Sequence, residues 1–193
     1  MTDIGEPTRL QFHDGRRIVL EETARLLNSI DAGAWDHAGR LITSARSSFF
    51  IGSGRSGLAV QMAAMRLMHL GLRVHVAGEV SAPAIGEGDV LIAVSGSGTT
   101  GSVIAAARTA KKVGASVLAV TTASESALAQ DSDEVLILPA AEKQDHSAAI
   151  THQYAGSLFE QSVLLAFDAL FHSLWTNDDQ TAETLWKRHA NIG

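Results

Sequence analysis

The fold of this chain is decided by the stretch DVLIAVSGSGTTGSVIAAARTAKKVG, residues 89–114. The mostly apolar run at 89–94 has the length of a strand that is buried on both faces of a sheet. A turn of glycine and hydroxyl residues follows, and a run with helical spacing then ends before Gly114, as helices do before a C-terminal glycine. The stretch therefore predicts one strand–loop–helix unit of a parallel sheet.

The same alternation of strands and helices continues on both sides of this unit. Longer patterns with helical spacing predict helices at 57–70, at 100–113 and, as a shorter one, at 124–130. Short apolar runs bounded by glycines predict five strands, at 48–51, 73–77, 89–94, 116–121 and 134–138. Because right-handed crossovers connect such strands, the pattern predicts an α/β fold with a single, doubly wound, five-stranded parallel sheet flanked by helices.

Helices are also predicted before and after the sheet. Apolar residues at helical spacing place two amphipathic helices at about 8–46. The C-terminal helices, at about 157–190, are a strongly apolar one and then a polar one whose capping candidates are Asn177 and Asp178. The polar stretch at 140–154 is long for a plain connection, so we expect it to be a functional or mobile loop.

Composition and charge exclude several classes of protein. The 193 residues are 46% hydrophobic and 19% charged, which suits one compact domain over residues 1–193 and argues against a disordered chain. The net charge of −6 disfavours a nucleic-acid or anionic-membrane partner. The absence of cysteine excludes disulfides, thiolate catalysis and cysteine-based metal sites. Since neither an apolar stretch of membrane-spanning length nor a secretory signal is found, we expect a cytoplasmic protein.

Two loops rich in glycine and hydroxyl residues follow the first and the third predicted strands. The first loop is GSGRSG at 52–57, and the second loop is SGSGTTG at 95–101. Their glycines let the backbone approach a ligand, the helix after each loop presents unpaired N–H groups, and the hydroxyls add donors without charge. One such loop alone is also typical of a plain strand-to-helix turn. Two of them at the carboxyl ends of parallel strands indicate a site for a phosphate monoester.

A dinucleotide site is the alternative for the first loop. Residues 52–57 also fit G-x-G-x-x-G, and Glu79, 22 residues beyond Gly57, is placed like the acid that binds a ribose. Three features speak against a dinucleotide. The second loop is richer in hydroxyls, Arg55 would crowd a pyrophosphate, and the C-terminal half leaves little room for a substrate domain.

Four blocks of the sequence resemble the sugar isomerase domain family, abbreviated SIS. They are the two loops, MAAMRLMHLG at 62–71 and GSLFEQ at 156–161. Within that family, RLMHLG together with SLFEQ is similar to the 6-phospho-3-hexuloisomerases, and the resemblance extends over nearly the whole chain. It implies a SIS-type, flavodoxin-like sheet. It also implies a homo-oligomer, a tetramer or a dimer, with sites near the subunit interfaces.

The resemblance further implies an activity. Members of this branch interconvert D-arabino-hex-3-ulose 6-phosphate and fructose 6-phosphate, without a cofactor, in the ribulose monophosphate pathway of formaldehyde fixation. The implied partners are the sugar-phosphate substrate and, functionally, a 3-hexulose-6-phosphate synthase. The chemistry agrees, because one carboxylate over the C2–C3 bond can move both protons through a cis-enediol, with neither a redox cofactor nor a metal. Another phosphosugar isomerase and a non-catalytic sugar-phosphate-binding module remain the alternatives.

Candidate site residues follow from the matched motifs. The catalytic base of the family falls on Glu160, whose alternative role is that of a first-turn acid stabilising a helix dipole. Arg55 is expected to contact the phosphate or to stabilise the enediolate oxygen, and its alternative is a solvated loop arginine. The substrate-binding residues that the resemblance implies are Arg55, Ser56, Ser95, Gly96, Ser97, Gly98, Thr99 and Thr100.

Histidines supply the remaining candidates. His69 is the second catalytic candidate, but it lies 12 residues beyond Gly57 on one predicted helix, which separates it from the first loop by about 18 Å. It would therefore act in a neighbouring subunit's site, or merely pair with the last carbonyls of its own helix. His146 and His152 form a weak metal pattern, and solvated histidines are the commoner outcome, so no metal site is predicted. His189 would let the C-terminal tail cover a site.

Overall fold

A five-stranded parallel sheet is the centre of the structure. The computed structural model of the protein describes residues 11–141 and 149–192. In chain order its elements are α1 (Phe12–Ser29), α2 (Ala32–Ser44), β1 (Ser48–Gly52), α3 (Gly54–Leu70), β2 (Val74–Val76), β3 (Val90–Val94), α4 (Gly101–Lys112), β4 (Ser116–Thr121), α5 (Ala127–Gln130), β5 (Glu134–Ile137), α6 (Ser157–Thr176) and α7 (Ala182–Trp186). The strand order is β2-β1-β3-β4-β5, with every neighbouring pair parallel. This is the doubly wound, flavodoxin-like order, so the predicted fold class is confirmed. No helix among the described residues combines the length and the apolarity that crossing a bilayer requires.

Alternate residues of the strands build two cores, one on each face of the sheet. Phe50 and Ile92 belong to the larger core, to which α1, α2, α3 and α6 contribute. Phe49 and Leu91 belong to the smaller core, to which α4 and α5 contribute. The α3 and α6 helices pack against each other on the larger core. The packing of these two helices therefore contributes to how the start of α6 lies relative to the first loop.

Several helix boundaries differ from the predicted ones. The α3 helix begins at Gly54 rather than at residue 57, because Ser53 already has the extended backbone of an N-cap. The α5 helix begins only at Ala127, since the side chain of Ser126 caps it by accepting a hydrogen bond from the N–H of Ala129. The last helix, α7, is shorter than predicted at both ends.

The capping prediction for the last helix is wrong. Asn177 instead closes the end of α6, where its Nδ2 donates to the carbonyl of Ser173 at 2.9 Å. The cap of α7 is Thr181, whose hydroxyl accepts a hydrogen bond from the N–H of Thr184 at 3.3 Å. Short polar side chains bond equally well to free N–H groups at a helix start and to carbonyls at a helix end. A run of such residues therefore does not specify which of them begins the helix.

The connection from β2 to β3 differs from the other crossovers. Residues 77–89, all of which the structure describes, contain no helix. An apolar cavity of about 480 Å³ lies between this connection, the sheet and α4. Phe49, Ile85 and Leu91 are among the side chains that line it.

An ion pair ties together the beginnings of two central strands. Nε and Nη2 of Arg46, just before β1, donate to the two carboxylate oxygens of Asp89 at 3.0 and 2.8 Å. Asp89 immediately precedes β3, is buried, and also accepts a hydrogen bond from the N–H of Gly86 at 2.8 Å. These contacts hold β1 and β3 side by side. The loops at the opposite ends of the same strands depend on that register.

Candidate active site

The two glycine-rich loops lie side by side at one edge of the sheet. Gly52 at the end of β1 is paired with Val94 at the end of β3. The α3 and α4 helices begin directly after the loops, so the positive ends of two helix dipoles face the same edge. Oγ of Ser53 in the first loop is 3.2 Å from Oγ of Ser102 at the start of α4. The loops thus form one surface, as the sequence predicts.

The hydroxyls of the second loop are bonded to one another in pairs. Oγ of Ser95 lies 2.8 Å from Oγ1 of Thr100, and Oγ of Ser97 lies 2.9 Å from Oγ1 of Thr99. The N–H of Thr99 also donates to Oγ of Ser97 at 3.3 Å. The first pair spans the loop and the second lies at its centre, so each of the four hydroxyls is held by another. Such an arrangement can bind the oxygens of a phosphate without a positive charge.

The geometry of the second loop requires glycine at position 98 and leaves little room for a side chain at position 96. Gly98 has φ of 62°, and a Cβ there would come within 2.1 Å of Oγ of Ser126. A Cβ on Gly96 would lie 3.3 Å from Cδ1 of Phe159 in the first turn of α6. The carbonyl of Gly96 accepts hydrogen bonds from the hydroxyls of Thr121 and Thr122 at 3.0 and 2.9 Å. The loop is therefore hydrogen-bonded to the end of β4, and the ring of Phe159 lies next to it.

Glu160 is hydrogen-bonded to Arg55 of the first loop. Glu160 lies in the first turn of α6 and is buried, next to the Phe159 that packs on the second loop. Nε of Arg55 donates to Oε2 of Glu160 at 2.5 Å. The structure thus brings Arg55, Glu160 and the second loop together, although the sequence does not predict that Arg55 contacts the carboxylate itself.

Ser56 and Arg55 face different surroundings, although they are neighbours in the first turn of α3. Arg55 is exposed, whereas Ser56 is buried. The first N–H groups of a helix have no partner within the helix. Ser56 therefore offers a ligand at this edge its backbone N–H rather than an open hydroxyl.

His69 lies apart from this group. It is in the last turn of α3, whereas Arg55 is in the first. Its buried ring stacks on His189 with 3.9 Å between ring centroids, and His189 stacks on Trp186 at 4.6 Å. Burial, followed by the nearby charge of His189, holds the pKa of His69 below its ordinary value. The C-terminal tail therefore covers the far end of α3, and an action of His69 in a neighbouring subunit stays a prediction.

The last carbonyls of α3 accept hydrogen bonds from side chains other than the imidazole of His69. Nη1 of Arg188 donates to the carbonyl of His69 at 2.9 Å, and Nε2 of Gln180 donates to that of Leu70 at 2.9 Å. Within the described part of the chain, Nδ1 of His69 has no hydrogen-bond partner. The alternative in which this imidazole pairs with the last carbonyls is thus not what the structure shows.

Among the residues that the structure describes, His152 and Glu79 make no hydrogen bond to the two loops. His146 lies outside the described residues. The side chain of His152 is exposed, and its backbone N–H bonds to Glu22. Glu79 is exposed in the turn after β2, where its N–H donates to the carbonyl of Val76 at 3.2 Å.

Sequence reasoning missed Glu22, which holds the segment before α6. Glu22 is a buried residue of α1 that accepts hydrogen bonds from Oγ1 of Thr151 at 2.5 Å, the N–H of His152 at 2.9 Å and Nε2 of Gln153 at 3.1 Å. Burial opposes its ionisation, but these hydrogen bonds outweigh burial and hold the pKa of Glu22 below its ordinary value.

A signal for Glu22 is nevertheless present in the sequence. It lies four residues after Ile18 and four before Leu26, hence on the apolar side of the first predicted helix. A carboxylate at such a position is costly unless it is hydrogen-bonded. The signal says that Glu22 has partners, but it does not say which ones.

The chain has clear relatives among known proteins. The SIS domain family profile matches residues 41–171. The chain is 49% identical over 175 residues to a 3-hexulose-6-phosphate isomerase of Mycobacterium gastri, with 91% of this chain and 88% of that protein covered. It is 40% identical over 152 residues to a 3-hexulose-6-phosphate isomerase of Bacillus subtilis, with 78% of this chain and 82% of that protein covered.

A solved structure agrees with the fold over almost its entire length. It is the crystal structure of a Methanococcus jannaschii protein from which a function as 3-hexulose-6-phosphate isomerase has been inferred. It matches this chain with a TM-score of 0.80 and 27% sequence identity, covering 93% of this chain and 99% of that one. The chain is therefore similar, in sequence and in fold, to proteins named or inferred as 3-hexulose-6-phosphate isomerases.

Proposed function

This chain belongs to the SIS domain family, and we propose that it interconverts D-arabino-hex-3-ulose 6-phosphate and fructose 6-phosphate. The observation that carries the proposal is the pairing of the buried carboxylate of Glu160 with Arg55 at 2.5 Å, beside the two hydroxyl-rich loops. The similarity to 3-hexulose-6-phosphate isomerases supports the same pair of substrates.

Glu160 is the proposed base and acid of the reaction. It takes the proton from C2, the electrons of the C2–H bond form a C2–C3 double bond, and the C3 carbonyl oxygen becomes the enediolate oxygen. The protonated carboxyl then returns the proton to C3, while the proton of the C2 hydroxyl moves to the oxygen on C3 and the C2 oxygen becomes the new carbonyl. The reaction moves protons and leaves the oxidation level of the whole molecule unchanged. The proposal therefore includes no redox cofactor and no metal.

The second loop is the proposed binding site of the 6-phosphate. Its paired hydroxyls lie at the start of α4, where backbone N–H groups and the helix dipole favour an anion. The first loop adds the N–H of Ser56 at the start of α3. The proposed contacts are made by Ser56, Ser95, Gly96, Ser97, Gly98, Thr99 and Thr100.

Arg55 is proposed to stabilise the enediolate oxygen. Its guanidinium already lies against the carboxylate that would remove the proton. A guanidinium has several N–H donors in one plane, so it can contact Glu160 and a substrate oxygen together. Negative charge that develops on the oxygen during proton transfer then has a fixed positive partner.

An oligomer, a tetramer or a dimer, is the proposed state of the protein. Leu58, Met62 and Met65 form an apolar row on α3 and are 62%, 52% and 59% exposed. Such a row is typical of an interaction surface. Met62 is seven residues from both Arg55 and His69. Two α3 helices packed antiparallel about Met62 would therefore bring His69 of one subunit towards Arg55 of the other, after a shift of the tail that covers His69.

The proposal also has a cellular side. We place the reaction in the cytoplasm, in the ribulose monophosphate pathway of formaldehyde fixation, where a 3-hexulose-6-phosphate synthase supplies the substrate. We also propose that residues 1–193 form one SIS domain. The family profile matches residues 41–171, and α1, which precedes that range, packs against α6.

A turnover assay with a base-deleted variant tests the function. The purified, EDTA-treated protein should convert hexulose 6-phosphate to fructose 6-phosphate, followed by NMR of the sugar carbons. Glu160→Gln keeps the shape of the side chain but cannot take a proton, so kcat should fall by about 10²- to 10⁴-fold. Asp168→Asn, the same loss of a carboxylate further along α6, is the matched control and should keep the wild-type kcat.

Each alternative predicts a different result in the same series. Wild-type turnover by Glu160→Gln would remove the proposed base. Binding of the sugar phosphate without turnover would indicate a non-catalytic module, and a higher kcat/KM for another phosphosugar would indicate a different isomerase. A rise of the melting temperature with NAD would favour the dinucleotide site.

A further inference from the structure

We propose that Glu22 is a positioning residue for the isomerisation: by holding residues 151–153, it fixes where α6 begins and so where the carboxylate of Glu160 lies. The inference rests on the proposed function, in which Glu160 is the base. Its parts are a buried carboxylate on α1, a turn of three residues, and the first turn of α6.

The turn is held by both oxygens of one carboxylate. Oε1 of Glu22 accepts from the N–H of His152 at 2.9 Å. Oε2 accepts from the hydroxyl of Thr151 at 2.5 Å and from Nε2 of Gln153 at 3.1 Å. Three consecutive residues therefore bond to a single side chain that lies more than a hundred residues earlier in the chain. Hydrogen bonds to an ionised acceptor are stronger than those to a neutral one.

The path from this turn to the base is short and constrained. Ala155 has φ of 49°, a conformation that costs energy for a residue with a Cβ and persists only when its surroundings hold it. The N–H of Ser157 then donates to the carbonyl of Tyr154 at 3.2 Å, and that of Glu160 donates to the carbonyl of Gly156 at 3.0 Å. A displacement of the turn therefore passes to the first turn of α6.

A second contact joins the same two helices next to the first. Oγ1 of Thr23, the residue after Glu22, donates to Oε1 of Gln161, the residue after Glu160, at 3.3 Å. The α1 helix thus holds both the segment that enters α6 and the first turn of α6. Leu26 is the buried residue that α1 contributes to the larger core. Because Glu22 itself belongs to neither core, we expect a change there to leave the sheet and the two glycine-rich loops in place.

The hydrogen bonds that hold the second loop differ from those that hold the start of α6. The second loop is fixed by hydrogen bonds from Thr121, Thr122 and the N–H of Leu128, none of which is hydrogen-bonded to Glu22. If Glu22 positions the base, its loss should slow the proton transfer and leave binding of the phosphate intact. A purely structural role would instead reduce the amount of folded protein without changing the turnover of what remains folded.

The variant Glu22→Gln tests the proposal in the full chain. It keeps the size of the side chain but replaces one acceptor oxygen with an NH₂ group that faces other donors. Because small displacements of a reacting group are costly, kcat should fall by about 10- to 100-fold. KM should change by less than about threefold, because Glu22 makes no hydrogen bond to either phosphate loop.

The neighbouring carboxylate is the matched control. Glu21 is exposed and pairs with Arg17 on the surface of the same helix at 3.0 Å. Glu21→Gln removes the same charge from the adjacent position and should keep the wild-type kcat and KM. Circular dichroism of both variants, at the assay temperature, measures the folded fraction by which each kcat is divided.

Hydrogen exchange provides a readout that is independent of turnover. In Glu22→Gln the amides of 151–161 should exchange faster than in the wild type, while those of β1 and β3 keep their protection. Unchanged kcat per folded molecule, or unchanged exchange at 151–161, would overturn the positioning role. If the wild type and Glu21→Gln convert no hexulose 6-phosphate, the proposed function fails, and the exchange comparison alone then decides whether Glu22 fixes the start of α6.

Discussion

In the proposed reaction, the base and the substrate both contact the positive charge of Arg55. Its side chain is 64% exposed, whereas that of its partner Glu160 is 7% exposed. A pair between two exposed groups contributes little, because water screens it. Here one partner is buried and the other remains accessible from solvent, so an incoming substrate can reach the guanidinium without exposing the carboxylate. The residue is thus suited to a contact that changes during the reaction.

Replacement of Arg55 should reduce transition-state stabilisation. Arg55→Gln removes the positive charge, and we expect kcat/KM to fall by about 10²- to 10³-fold. The kcat/KM of Arg55→Lys should fall less, because the ammonium group keeps the charge but lacks the planar set of donors. Steady-state kinetics measures both. Arg40→Gln, at an exposed position of α2, is the control, and a wild-type kcat/KM for Arg55→Gln would contradict the role.

At the scale of residues, the sequence identifies the groups but not their contacts. Glu160 and Arg55 both follow from motifs, yet their hydrogen bond joins positions 105 residues apart. Glu22 and Thr151 are 129 residues apart. Periodicity describes which side of a helix a residue occupies and carries no information on which distant segment packs there. Such pairs therefore require the structure.

At the scale of elements, the strands are the best predicted part of the molecule. Val90–Val94 is buried along its whole length, and a run buried on both faces is apolar throughout. The strand that the sequence predicts at 73–77 is longer than the observed Val74–Val76. This strand lies at the edge of the sheet and has only one neighbour, β1. Helix ends are harder to predict from sequence, because neighbouring polar residues compete for the same capping position. Asn177 and Thr181 are examples.

The ion pair at the amino ends of β1 and β3 should make stability depend on pH. The hydrogen bond from Arg46 lowers the pKa of Asp89, burial opposes it, and the N–H of Gly86 lowers it further. A depressed folded pKa stabilises the protein above the unfolded value of about 3.9. That contribution is lost as the pH falls through the folded pKa. Asp89→Asn should therefore be clearly less stable than the wild type at pH 7.

Urea unfolding at neutral and acid pH measures this effect. The difference between the wild type and Asp89→Asn should shrink as the pH falls, because the wild type loses the ionised carboxylate. Glu22 and Asp133 also have a lowered pKa. Both residues are present in the wild type and in Asp89→Asn, so their contributions to the pH dependence cancel in the comparison. Asp36→Asn, at an exposed position of α2, is the control. A difference that is equal at pH 7 and in acid would contradict the prediction.

At the scale of the whole molecule, the apolar row on α3 should hold subunits together. Met62 lies at its centre, between Leu58 and Met65. We expect Met62→Glu to shift the mass measured by light scattering towards that of one chain, since a buried unpaired charge opposes association. Val113→Glu, at the end of α4 on the other face of the sheet, is the control. An oligomer that is unchanged by Met62→Glu would place the interface elsewhere.

The stack of Trp186, His189 and His69 gives the protein an internal optical reporter. An indole in face-to-face contact with an imidazole has a different emission from a free indole, and here the two rings are 4.6 Å apart. The emitting indole and His189 lie in the C-terminal tail, whereas His69, the second imidazole of the stack, lies in the last turn of α3. Fluorescence of Trp186, isolated by replacing Trp35 and Trp175 with phenylalanine, would follow the docking of the tail in real time, without any attached label.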